Sequence, residues 1–184
     1  MTRSLYIFSF ALVGAGVIAG LRALPAPKTP DHVSGYVHVV SGDTIRVHGD
    51  DYRDSVTVSL FGINSVGLEQ ICQRKDQSNY KCGYAAFGAL YDIAVGHPVS
   101  CQRLDTDKHK HMVAFCVLDD GEIDLAESMV RRGWAIVDRR YAEIDPGRIL
   151  RYLKAEGLAR SEKIGLWVGT FEDPESFHRR NFKQ

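Results

Sequence analysis

At 184 residues, with 45% hydrophobic and 25% charged positions, the chain has the size and composition of one folded domain plus an appendage, which excludes a disordered polymer. Lys and Arg number 23 and Asp and Glu number 23, so no global field draws the protein towards nucleic acid. Positive charge is only local, at Arg131-Arg132, Arg139-Arg140 and Lys108 to His111, and reads as solvated faces balanced by nearby acids.

The N-terminus differs from the rest. Ser4 to Leu21 (SLYIFSFALVGAGVIAGL) carries no charge and is bracketed by Arg3 and Arg22. A run of that length reaches the lower edge of a bilayer-spanning helix. A cleavable signal peptide competes, with Val17-Ile18-Ala19 as a small-residue cleavage site. The length of the apolar run and the arginine that closes it favour an uncleaved anchor over 1–22. Residues 23–32, containing ALPAPKTP, read as a Pro-rich linker.

From His32 to Val40 and from Thr44 to His48 the chain is β-branched and alternating, with Ser41-Gly42-Asp43 as a tight turn between. Gly49-Asp50-Asp51 marks the next turn, and Ser55 to Ile63 is a third strand. Asn64 to Asn79 has no period and reads as a long loop. Tyr80 to Val95 places Ala85, Ala86, Leu90, Ile93 and Ala94 on one helical stripe, stopped by Gly96. Val99 to Leu104 and Met112 to Leu118 are strands joined by the polar segment Asp105 to His111. A short helix then ends at Arg132-Gly133, and Trp134 to Val137 is a brief strand. Arg148 to Lys163 is a helix with Leu150, Leu153, Ala155, Leu158 and Ala159 inward. Residues 169–184 are a polar tail without periodicity. The expected fold is α+β and mainly β: a five-stranded OB-type barrel over 33–168 with about three helices, preceded by one N-terminal transmembrane helix.

Four cysteines, Cys72, Cys82, Cys101 and Cys116, follow the apolar segment without a CxxC pair. Behind an export-type segment they point to disulfides and an oxidising compartment rather than to zinc. Three connectivities exist. An antiparallel hairpin of the strands at 99–104 and 112–118 sets Cys101 opposite Cys116, which favours Cys101–Cys116 with Cys72–Cys82.

Within this order of elements stand Val-Ser-Gly-Asp-Thr at 40–44, Leu-Phe-Gly-Ile-Asn at 60–64, and Asp107 ahead of Met112-Val113-Ala114. Met129 to Ala135 (MVRRGWA) and Gly165-Leu166-Trp167 follow. Together these phrases resemble the staphylococcal nuclease-like family, over about 135 residues. Gln70-x-Cys72 and Cys82-Gly83-x-x-Ala86 are similar to its exported bacterial branch. The resemblance implies a five-stranded barrel in which a metal ion, usually calcium, two arginines and a glutamate cleave phosphodiesters. Attack of water builds charge on the transferred group; cation and guanidinium forks stabilise it, while the carboxylate orients or deprotonates the water.

Matched position by position, this chain departs from that set. Asp43 falls on the principal metal-binding aspartate, and Ser41 stands where many members carry an acid. Ser59 falls on the first arginine, Asn64 on the second metal aspartate, Gly67 on the glutamate and His111 on the second arginine. Asp43 has a second explanation as a cap of its own turn. Glu69, two residues beyond the glutamate position, is the candidate substitute. Lys110 or His111 would supply positive charge, though neither is a bidentate fork. His109 with His111 forms a weaker metal-ligand candidate.

The sequence therefore predicts a membrane-anchored, catalytically inactive nuclease-like module in a periplasm or equivalent compartment. It is expected to act as an accessory, binding or structural subunit with protein partners in a membrane complex, and to need no cofactor. A divergent calcium-dependent nuclease using Asp43, Glu69 and His111 is the second reading. A non-catalytic nucleic-acid binder is the third, with Tyr36, Tyr52 and Phe61 as stacking candidates.

Overall fold

The computed structural model describes residues 31–49, 54–118 and 121–181. The anchor read at 1–22, nearly all of the linker and Tyr52 lie outside the described residues. No helix among the described residues is long and apolar enough to cross a membrane.

Five strands close into a barrel: β1 (His32–Val39), β2 (Thr44–His48), β3 (Ser55–Leu60), β7 (Val99–Thr106) and β8 (Met112–Leu118), in the order β1-β2-β3-β8-β7. All pairings are antiparallel except β3 with β8, where Ser59 lies beside Val113. Gly35 is the corner of β1. The strand pairs with β7 up to Gly35, opposite Val99, and with β2 from Tyr36, opposite His48. Gly35 has φ +143°, and a Cβ there would strike the His48 carbonyl, so only glycine turns this corner.

Alternation fills the barrel with Val39, Ile45, Val47, Val58, Leu60, Val99, Met112 and Ala114, all nearly or fully buried. Cys101 and Cys116 are register partners on β7 and β8 and form one of the two disulfides; the other joins Cys72 to Cys82. Both fit an oxidising compartment. Three helices cover the barrel: α1 (Cys82–Ala94), α2 (Leu125–Arg131) and α3 (Pro146–Glu162). Asp124 caps α2 by accepting from the Glu127 amide and also accepts the buried Tyr152 hydroxyl at 2.7 Å.

Several local expectations are corrected. On α3 the buried residues are Ile149, Tyr152, Ala155, Glu156 and Ala159, while Leu150 and Leu158 are exposed at 55% and 48%. Tyr152 and Glu156 have polar tips, which hides their place on the inner stripe. Each tip finds a partner inside, Tyr152 on Asp124 and Glu156 on the Val137 amide. The third strand ends at Leu60, because Gly62 turns the chain at φ +77° before β4 (Ile63–Ser65). The expected loop at 64–79 also holds β5 (Cys72–Arg74) and β6 (Asn79–Tyr80), while β4 pairs with β9 (Ala135–Val137). Phe61 is fully buried against Tyr141 and is no stacking platform.

The polar tail is structured too. It contributes β10 (Gly169–Thr170), paired with β5, and a fourth helix, α4 (Pro174–Asn181). Asp173-Pro174-Glu175 is a helix-start signature that the absence of an apolar period concealed.

The Cys101–Cys116 bridge spans a sequence separation of 15 between two buried barrel strands. Replacing both cysteines by alanine is expected to cost about 3 kcal/mol from loop closure alone, measured by denaturant unfolding. A loss well under about 1 kcal/mol would show that the hairpin is held by its ladder and packing instead.

Candidate functional site

The turn Ser41-Gly42-Asp43 delivers Asp43 to one end of the barrel, where its carbonyl accepts the Leu60 amide. Asp43 Oδ1 accepts the Ser41 hydroxyl at 2.7 Å and the Thr44 hydroxyl at 3.0 Å, and Oδ2 accepts the Ser65 amide at 2.7 Å. The carboxylate thus ties the β1–β2 turn to β4. Gly42 has a packing reason of its own, since a Cβ there would collide with the Ser65 side chain.

Thr44 pairs with Ser59, and Ser59 lies between β2 and β8. The Ser59 hydroxyl donates to Asp107 Oδ2 at 3.3 Å, and His111 Nδ1 lies 3.3 Å from the same oxygen. Asp107 Oδ1 accepts the His109 and His111 amides at 2.8 Å each, which holds the polar turn closed. The positions matched to the two arginines therefore meet on one carboxylate. In a nucleophile relay the serine would donate to the imidazole; here both bind the acid, so this is a structural cluster.

Asn64 Nδ2 donates to Asp138 Oδ2 at 3.3 Å. Asp138 is buried and grips Arg140 through Nε and Nη2, at 2.9 and 2.6 Å. Burial pushes the Asp138 carboxyl up, but the bonds and charge of Arg140, helped by Asn64, outweigh it and hold the group below the usual 3.8. Gly67, at the glutamate position, donates its amide to Gln70 Oε1 at 3.0 Å, within the closed end of the barrel.

The structure thus brings Asp43, Ser59, Asn64 and His111 into turns and adjoining strand ends linked by hydrogen bonds. Glu69 goes elsewhere: its Oε1 accepts the Tyr84 hydroxyl at 2.8 Å, on the exposed face of α1. That bond and the Glu69 charge push the Tyr84 hydroxyl up from 10.0. Among the described residues no three His, Cys, Asp or Glu side chains form a group that could hold a metal ion, so Asp43, Glu69 and His111 do not converge on one.

The donors present fall short of a calcium site. Calcium takes six to eight oxygen ligands. Asp43 is a single carboxylate already accepting three hydrogen bonds.

Asp107, Asp138, Arg140 and Ser65 were not among the site residues read from sequence. Asp107 stood in a recognised phrase, but its role as the common acceptor depends on strand pairing. Asp138 sits 74 residues from Asn64, with no local signal linking them.

The sequence model of the family described as "Staphylococcal nuclease homologue" matches residues 57–169, more than half of the chain, and the chain belongs to that family. A yeast relative from Komagataella phaffii, described as "Probable endonuclease LCL3", is 37% identical over 82 residues. The match covers 42% of this chain, and the chain spans only 36% of that protein's length.

Asp138 yields a pH prediction. Its folded carboxyl lies below 3.8, so its contribution is complete above that value and is lost as pH falls through the lower folded value. Asp138→Asn is expected to flatten the acid limb of the stability curve, read from urea midpoints across the acid range. An unchanged slope would mean that Arg140 does not hold the group ionised.

Proposed function

We propose that this nuclease-like domain is catalytically inactive and serves as an accessory or binding subunit of a membrane-associated complex. One observation carries the reading: the positions matched to both arginines and to the glutamate are Ser59, His111 and Gly67, and the remaining aspartate, Asp43, is engaged in holding the turn to β4. A general base contributes roughly 10²–10⁴-fold to rate. A phosphate-clamping arginine contributes roughly 10³–10⁵-fold in related chemistry. The factors overlap, so their product overstates the loss, yet losing all three leaves little metal-dependent cleavage.

In this reading Asp43 persists for architecture, no cofactor is needed, and the apolar run at 4–21 anchors the domain in an oxidising extracytoplasmic compartment. The domain's partners are proteins of the same membrane. The name of the yeast relative keeps a divergent endonuclease as the competing reading, and the same assay separates them.

The full chain in mild detergent is to be incubated with single-stranded DNA and with RNA, with calcium or with chelator. The expected result is cleavage no greater than that of Asp43→Ala. Robust calcium-dependent cleavage abolished by Asp43→Ala would overturn the proposal. Independently, Asp43→Ala is expected to destabilise the fold by about 1–3 kcal/mol, because the Ser65 amide loses its acceptor. Thermal unfolding measures that loss, and no loss would refute the architectural role.

A further inference from the structure

The family match ends at residue 169, and from there the chain runs back against β5, Gln70 and Gly67. Gly169 and Thr170 pair with Arg74 and Gln73 of β5, beside the buried Cys72–Cys82 bridge. The Phe171 ring packs edge-on against Trp167 at 5.1 Å. Gln70, 1% exposed, joins the two layers: its Oε1 accepts the Gly67 amide and its Nε2 donates to the Glu172 carbonyl at 2.8 Å. Asp173 caps α4 by accepting the Ser176 amide at 2.9 Å. On α4, Glu175 faces Arg140, which holds Asp138, and Arg179 binds the same carboxylate at 3.1 Å.

These ties place Phe177 over Gly67. A Cβ at Gly67 would lie 2.6 and 2.8 Å from two carbons of the Phe177 ring, too close for any side chain unless the ring moves. The Gly67 backbone is outside the left-handed region, so its conformation admits other residues. Only Phe177 stands in the way.

We propose that Gly169–Asn181 is a strap that covers the 64–70 segment at this end of the barrel, with the Phe177 ring in the space where the side chain of the family glutamate would begin. The inference deepens the proposed function and rests on the same assignment of Gly67. The end of the barrel is shut as well as stripped of its residues. A partner or ligand addressing the 64–70 segment must first displace α4. The strap is held by the short β10–β5 pairing, aromatic packing, a buried glutamine and surface ion pairs, and the ion pairs contribute little. Neither β10 nor α4 belongs to the barrel ladder, so the strap can open without unfolding the barrel.

Two measurements on the full chain in detergent test this. In the first, melting temperatures are compared for Gly67→Ala, Phe177→Ala and the double variant. Overpacking on Phe177 is expected to lower the melting temperature of Gly67→Ala by about 3–10 °C. The double variant is expected to melt no lower than Phe177→Ala. A loss of the same size with and without Phe177 would overturn the contact. In the second, amide hydrogen exchange is followed in Phe177→Ala. Exchange over 64–70 is expected to quicken at least about ten-fold while β1, β2 and β3 stay protected. Unchanged exchange at 64–70 would overturn the strap. Neither readout depends on hydrolysis, so failure of the melting or exchange result overturns the strap alone, while cleavage by the wild-type chain overturns the proposed function.

Discussion

The parallel pairing of β3 with β8 is the join on which the rest of the molecule depends, since it converts a run of antiparallel strands into a closed barrel. It carries Ser59 beside Val113 and so brings the 107–111 turn, which belongs to a distant hairpin, against β3. Closure also removes the exposed sheet edges that an open five-stranded sheet would present. The disulfide between Cys101 and Cys116 lies inside the β7–β8 ladder next to this join and reinforces it.

Around that join, three carboxylates are held by fixed donors. Asp43 accepts two hydroxyls and an amide, Asp107 accepts a hydroxyl and two amides, and Asp138 grips a guanidinium while accepting from Asn64. In each case a carboxylate that would otherwise be costly to desolvate is satisfied by fixed donors. A cation-binding end of a barrel needs unsatisfied oxygens directed at one point. Here the oxygens are directed at separate turns. At this end of the barrel the carboxylates tie loops to one another and to strands.

The C-terminal segment extends this logic beyond the family's shared region. Arg140, attached to Asp138, reaches Glu175 of α4, and Gln70 reaches the Glu172 carbonyl, so the interlocked turns are the floor on which the strap rests. The Cys72–Cys82 bridge ties β5, the strand that β10 joins, to the start of α1. Site residues, bridge and strap form one connected end of the protein, opposite in character to the apolar barrel interior.

Much of this was legible in the chain alone because its signals are local. Strand alternation, the Ser41-Gly42-Asp43 turn, the Cys101–Cys116 register and the substitutions at Ser59, Asn64, Gly67 and His111 all follow from short stretches of sequence. Local pattern also misled. Leu150 and Leu158 look like a core stripe, but Tyr152 and Glu156 occupy it, because only the assembled core supplies Asp124 and the Val137 amide to their polar ends. The tertiary structure alone decided that Asn64 meets Asp138, that Glu69 turns to Tyr84, and that Phe177 lies on Gly67. Such contacts join residues up to about a hundred positions apart, and no local period records which distant side chain the closed barrel will bring into reach.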